Sequence, residues 1–216
     1  MITTVLFDLD GTIIDTNELI ISSFINSLHS RLPKPLTREE IIPHMGDTLE
    51  KQLQQFAGEG HNVEEMVQAY RAYNALHHDE MVKTFPHVPE VVKELHKRGI
   101  KLGVVTTKIR PSSMRVLNTF GLTEYMGSIV TVNDVVHPKP HAEPVLKAVE
   151  ELQADPDTTL MVGDSSFDIL AAKAAGVQSA GVAWSLKGEE TLRRYEPDFM
   201  LYDMRDILDL VSREND

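Results

Sequence analysis

The chain of 216 residues contains no cysteine. That excludes disulfides, thiolate metal sites and cysteine nucleophiles, and it fits a reducing compartment such as the cytoplasm. Positive charge is also scarce: 21 lysines and arginines face 33 acids, for a net −12. So acidic a surface repels phosphate backbones, so neither nucleic acid nor an anionic membrane is an expected partner. Any site for an anionic small molecule would need local cations or a metal. Long apolar runs are missing as well. None approaches a membrane span, and the chain reads as a strand within three residues of its start, with no signal peptide visible. What remains, 42% apolar and 25% charged residues, is ordinary for a soluble globular protein of one or two domains. The sequence carries no signal for an oligomeric state.

What is present begins at Val5-Leu6-Phe7-Asp8-Leu9-Asp10-Gly11-Thr12. The apolar run reads as a buried strand, and it ends abruptly in two carboxylates. Aspartate is a poor strand former and costly to bury unpaired. Asp10-Gly11 is also an ordinary turn signal, but a turn does not explain why Asp8 follows three apolar residues. In open α/β sheets, ligands bind at the carboxyl ends of the strands, where this pair falls.

Behind it the pattern is helical. Leu19, Ile20, Phe24 and Leu28 share one face of a helix expected over 17–32, stopped by Pro33 and Pro35. Thr37-Arg38-Glu39-Glu40 is a capping box. Further helices are expected over 49–56 and 63–82, with no strand anywhere from 17 to 82. After Pro86 the grammar changes. Helices over 88–98, 111–120, 141–152, 165–175 and 204–211 alternate with strands over 101–105, 129–132, 159–162 and 179–183. Such alternation means a doubly wound parallel sheet, with every strand's carboxyl end on one side. The expected architecture is therefore an α/β core, residues 1–15 and 83–216, with an all-helical cap inserted over 16–82. Lids of this kind commonly control solvent access.

Four polar clusters then fall at four strand ends: Asp8 with Asp10, Thr106-Thr107-Lys108, Lys139, and Gly163-Asp164 with Asp168 one helical turn on. Each alone has a bland explanation, as cap, solvated loop or turn. Their convergence on one sheet edge is what makes those explanations improbable together.

The set resembles the haloacid dehalogenase superfamily, in its phosphatase branch. The resemblance rests on Asp8-Leu9-Asp10-Gly11-Thr12, Val105-Thr106-Thr107-Lys108, Lys139-Pro140 and Gly163-Asp164-Ser165-Ser166-Phe167-Asp168, in order along nearly the whole chain. It implies a magnesium-dependent phosphohydrolase. Strand-end carboxylates without Cys or His also suit a hard, oxygen-seeking cation such as Mg2+. Asp8 and Asp164 are the expected ligands, and the resemblance adds the backbone carbonyl of Asp10. Asp168 could bind a metal water or hold Lys139. By the same resemblance Asp8 attacks phosphorus to form an aspartyl-phosphate, and Asp10 protonates the leaving oxygen and then activates water. Thr106 would donate to the phosphoryl oxygens and Lys139 would neutralise charge developing there. Thr107 and Lys108 are candidate substrate contacts, although Lys108 reads equally as a solvated lysine at a helix start. The family often repeats proline in Lys-Pro-x-Pro-Glu-Pro; here Ala142 replaces the second, which leaves the lysine in place.

Asp10 disfavours dehalogenation, which has no leaving oxygen to protonate. Phosphonate cleavage would need a cap lysine with a depressed pKa, and nothing apolar surrounds Lys34 or Lys51. Met45-Gly46 resembles a cap loop that approaches the active site. Asn17 to Phe24, His77-His78-Asp79-Glu80, Trp184-Ser185-Leu186-Lys187-Gly188 and Pro197 to Leu201 resemble bacterial pyrophosphatases of the same family. That implies pyrophosphate as substrate. The histidine run is otherwise a solvated helix end. Rival readings are a phosphoglycolate phosphatase, a sugar-phosphate mutase of the same family, and a non-catalytic phosphate-binding protein, for which the acid Asp10 would be superfluous.

Overall fold

A computed structural model describes residues 1–211; residues 212–216 of the expected core lie outside the described residues. In chain order the elements are β1 (Thr4–Phe7), β2 (Ile14–Asp15), α1 (Asn17–Leu28), α2 (Arg38–Ile41), α3 (Leu49–Ala57), α4 (Val63–Met81) and β3 (Lys83–Thr84). There follow α5 (Val88–Lys97), β4 (Lys101–Val105), α6 (Arg110–Thr119), β5 (Ser128–Val130), α7 (Glu143–Glu151), β6 (Thr159–Gly163), α8 (Ser166–Ala175), β7 (Gln178–Val182), α9 (Glu189–Arg193), β8 (Phe199–Leu201) and α10 (Asp206–Val211).

Six strands form one parallel sheet in the order β5-β4-β1-β6-β7-β8. β1 is central because it is apolar on both faces. Val5 and Phe7 enter one core cluster and Leu6 the other, all fully buried. A strand covered on both sides reads as a continuous apolar run rather than an alternating one. Its register pairs Phe7 with Val104 of β4 and with Val162 of β6. Asp8 therefore emerges between the ends of β4 and β6, at the point where the chain winds both ways from β1.

Helices α1 to α4 bury a third apolar cluster of their own, built on Ile21, Phe24, Leu28, Ile41, Leu53 and Met66. The capping box at Thr37 is formed: its Oγ1 accepts from the Glu40 amide, and Glu40 Oε2 accepts from the Thr37 amide at 2.9 Å.

Two local expectations are corrected. α1 stops at Leu28, four residues short, because the chain turns there, with the Arg31 and Leu32 amides both donating to the Leu28 carbonyl. The end of the fifth strand, Val132, belongs instead to a 3-10 turn tied by Thr131 and Asp134. Four short elements carry no periodic signal: β8 at the sheet edge, α9, and the antiparallel pair β2 and β3. That pair joins the two points where the chain enters and leaves the helical segment.

Candidate active site

The end of β1 sets the site. The Asp8 amide donates to the Val162 carbonyl at 2.8 Å, which continues the sheet by one residue and aims the carboxylate past its edge. Asp8 Oδ1 accepts from Lys139 Nζ at 2.7 Å. The same ammonium donates to Asp168 Oδ1 at 2.5 Å and to the Val105 carbonyl at 2.8 Å. Lys139 is thus fully committed and buried. Of the two roles open to Asp168 from sequence, holding Lys139 is the one seen. Its other oxygen accepts from the Ser165 amide and hydroxyl at 3.0 and 2.6 Å, so one residue both caps α8 and positions the lysine.

Asp164 follows β6. Its Oδ2 accepts from Lys187 Nζ at 2.7 Å, and its carbonyl accepts from the Ser185 hydroxyl. Asp8, Asp164 and Asp168 each bring a carboxylate oxygen within 4.8 Å of the others, all buried. Gly11 makes room for this cluster: at its φ of +83° a Cβ would lie 2.6 Å from Asp164 Oδ2.

The electrostatics follow from burial. Asp8 is pushed up to about 8 by desolvation, opposed by the charge of Lys139 and reinforced by Asp168 and Asp164. Burial also raises Asp164, with Lys187 pulling the other way. Burial would lower Lys139, but the carboxylates of Asp168 and Asp8 outweigh it and keep the ammonium charged. Three carboxyl groups held by two lysines make a buried cage whose candidate metal ligands are all oxygens. Those donors fit a hard divalent cation.

Asp10 stands apart from that cage. Its Oδ1 accepts from the Thr16 hydroxyl at 2.8 Å, and Lys108 Nζ lies 3.0 Å from Oδ2. Its side chain is therefore not among the clustered carboxylates, which leaves only its backbone for the metal role expected from sequence. Thr106 is buried on the cavity wall, with its Oγ1 accepting from the Lys108 amide at 3.1 Å. Thr107 also lines the cavity, but its hydroxyl donates across to the Gly46 carbonyl at 3.1 Å, tying the sheet edge to the helical segment. Lys108 is no solvated lysine, being paired with Asp10.

A cavity of about 260 Å3 lies between the sheet edge and the helices. Asp8, Asp10, Thr106, Thr107, Lys108 and Asp164 form its floor. From above, Tyr70, Arg71, Asn74 and His78 line it from one face of α4, at helical spacing. Lys34 and Lys51 are absent from the lining and pair with Glu40 and Asp47, so neither is placed to form a Schiff base there. Sequence reasoning did not select Lys187 as a site residue, although it follows the end of β7 on the same sheet edge. Nor did it select Arg115, which reaches the cavity from mid-helix in α6, where no strand end marks it.

Residues 5–182 match the family of haloacid dehalogenase-like hydrolases, and the chain belongs to that family. Among its relatives is pyrophosphatase PpaX of Anoxybacillus flavithermus, 48% identical over 211 residues, covering 98% of this chain and 97% of the relative. Pyrophosphatase PpaX of Bacillus cereus is 46% identical over 214 residues, covering 99% and 98%. In three dimensions the chain is similar to a haloacid dehalogenase-like family hydrolase from Streptococcus pneumoniae, with a TM-score of 0.84 at 25% identity, covering 98% of this chain and 99% of that one.

Proposed function

We propose that this hydrolase is a cytoplasmic, Mg2+-dependent phosphohydrolase whose substrate is inorganic pyrophosphate. The observation that carries the reading is the pairing of two differently placed carboxylates. Asp8 sits in a buried acidic cage fastened by Lys139, while Asp10 sits two residues on against Lys108 and Thr16. Environments that separate two acids also separate their roles. The names of the relatives and the small size of the cavity favour pyrophosphate as substrate.

In this reading Asp8, Asp164 and the carbonyl of Asp10 would hold the ion, with Asp168 behind them. A bound Mg2+ neutralises phosphate charge and lets an anionic nucleophile approach it. Asp8 attacks phosphorus and becomes an aspartyl-phosphate. Asp10 delivers a proton to the departing oxygen, then takes one from the water that cleaves the intermediate. The Thr106 hydroxyl donates to the phosphoryl group, and Lys139 balances its charge from a fixed position. Thr107 and Lys108 border the transferred group. The helical segment 16–82 acts as a cap that excludes water from the core of 1–15 and 83–216.

Phosphate release from pyrophosphate tests this. Release is expected with Mg2+, lost on chelation and abolished in Asp8→Asn, with a hydroxylamine-labile phosphate appearing on the wild-type protein. Turnover that survives Asp8→Asn would end the assignment of the nucleophile.

A further inference from the structure

Lys187 is a second lysine at the acidic cage, and no step of the proposed chemistry uses it. It reaches the cage from the loop after β7, which is fastened at several points. The Ser185 amide donates to the Val182 carbonyl at 3.2 Å, and the Ser185 hydroxyl donates to the Asp164 carbonyl at 2.7 Å. The Lys187 amide donates to the Ser185 hydroxyl oxygen at 3.1 Å. Trp184 Nε1 ties the same loop to the Thr12 carbonyl at 3.3 Å. The Lys187 ammonium then meets Asp164 Oδ2 at 2.7 Å, with the two side chains only 7% and 5% exposed. Solvent and salt screen so covered a pair weakly.

The two lysines of the cage differ. Lys139 Nζ donates to Asp8, Asp168 and the Val105 carbonyl, so all three of its hydrogens are committed. Lys187 bonds to Asp164 alone among the described residues, and both of these line the cavity.

Charge makes this second lysine matter. Asp8, Asp164 and Asp168, when ionised, bring three negative charges, and Lys139 and Lys187 offset two of them, which leaves −1. A divalent ion in the cage turns that into +1. Without the ammonium of Lys187 the cage would stand at −2 before the ion binds and at zero afterwards. Arg71, Lys108 and Arg115, the other cations of the lining, are balanced by Glu50, Asp10 and Asp79 and leave this difference intact.

We propose that Lys187 lowers the affinity of the cage for Mg2+ and raises the affinity of the loaded cage for a phosphate anion; this deepens the phosphohydrolase reading and rests on it. Lys187 is a positioning residue in this account, acting on the ion through the carboxylate of Asp164. The ammonium and the ion repel each other across that carboxylate, and a phosphate anion bound beside them relieves the repulsion. Mg2+ and phosphate therefore favour each other's binding, by the same factor in either order.

The test is calorimetric titration of the wild type, Lys187→Met and Lys187→Arg, first with Mg2+ alone and then with inorganic phosphate at saturating Mg2+. Methionine keeps an unbranched stem and removes the charge. Lys187→Met should bind Mg2+ about tenfold more tightly and phosphate about tenfold more weakly, a modest share of what a full charge a few ångströms away supplies in a covered site. Lys187→Arg keeps the charge and should stay near the wild type in both titrations. Loss of packing does not produce opposite shifts, because a distorted cage loses both ligands. Weaker binding of both would assign Lys187 to structure and overturn the proposal. Weaker binding of Mg2+ alone would make it a support for Asp164 and overturn it too, as would an unchanged affinity for phosphate. Should Lys187→Met not fold, Lys187→Gln carries the same comparison. Neither titration needs turnover, so a wild type that binds both ions and leaves pyrophosphate intact overturns the pyrophosphate reading alone. A wild type that binds no Mg2+ overturns the metal reading and this proposal with it.

Discussion

Asp8 and Asp10 are two residues apart and live in different electrostatic worlds. Asp8 shares one buried ammonium with Asp168 and is held at about 8, against 3.8 for an ordinary aspartate. Between those values the folded chain binds more protons than the unfolded chain. Metal-free stability therefore falls as pH rises through that interval. Thermal unfolding in chelator should show a Tm that drops between pH about 5 and about 8, and drops less in Asp8→Asn. Identical pH dependence in the two proteins would mean that burial does not raise the Asp8 carboxyl. Asp10→Asn addresses the other acid: turnover should fall by about 10²- to 10⁴-fold, the usual worth of general acid–base catalysis. Retention of the wild-type rate would remove Asp10 from proton transfer. Both acids were legible in the sequence because a carboxylate at the end of an apolar strand breaks the pattern. The pairing of Lys187 with Asp164 was not, since a lysine in a loop breaks nothing. The place of His78 in the cavity lining exists only once α4 has packed over the sheet edge.

At the scale of elements, the long periodic helices and the apolar strands were readable, and so was the insertion of a helical block after β1. The hidden parts are short. β2 and β3 hold two residues each, too few to show alternation, yet they close the neck of the helical segment. One contact across the mouth of the site is made at Gly46. At φ +116° its chain passes so close to α8 that a Cβ would stand 3.0 Å from Ser165 Oγ and 3.1 Å from Phe167. The same residue's carbonyl receives the Thr107 hydroxyl. Gly46→Ala adds backbone strain on the order of 1–3 kcal/mol and pushes the cap loop off the sheet edge. Misplacement of about 1 Å costs up to about 10²-fold in rate, so kcat/KM should fall while the fold, followed by circular dichroism, persists. An unchanged kcat/KM would show that this loop does not set the closed geometry.

At the scale of the whole molecule, the chain carries a net charge of −12, and its cavity of about 260 Å3 is lined by Arg71, Lys108, Arg115 and Lys187 together with Asp8, Asp10, Asp47, Glu50 and Asp164. Each of these four cations is paired with an acid, so an anion bound there would need further positive charge, such as a divalent ion. Family and fold were readable from four motifs in order. Pyrophosphate came only from the resemblance and not from any motif, because the residues that line the cavity opposite the sheet edge come from α3, α4 and α6, and only packing brings them together. The most direct measurement is therefore a panel of kcat/KM values with Mg2+ over pyrophosphate, phosphoglycolate and sugar phosphates. Pyrophosphate should lead by about tenfold or more, the factor that a single well-placed hydrogen bond to a charged group supplies. A lead for phosphoglycolate or for a sugar phosphate would contradict it.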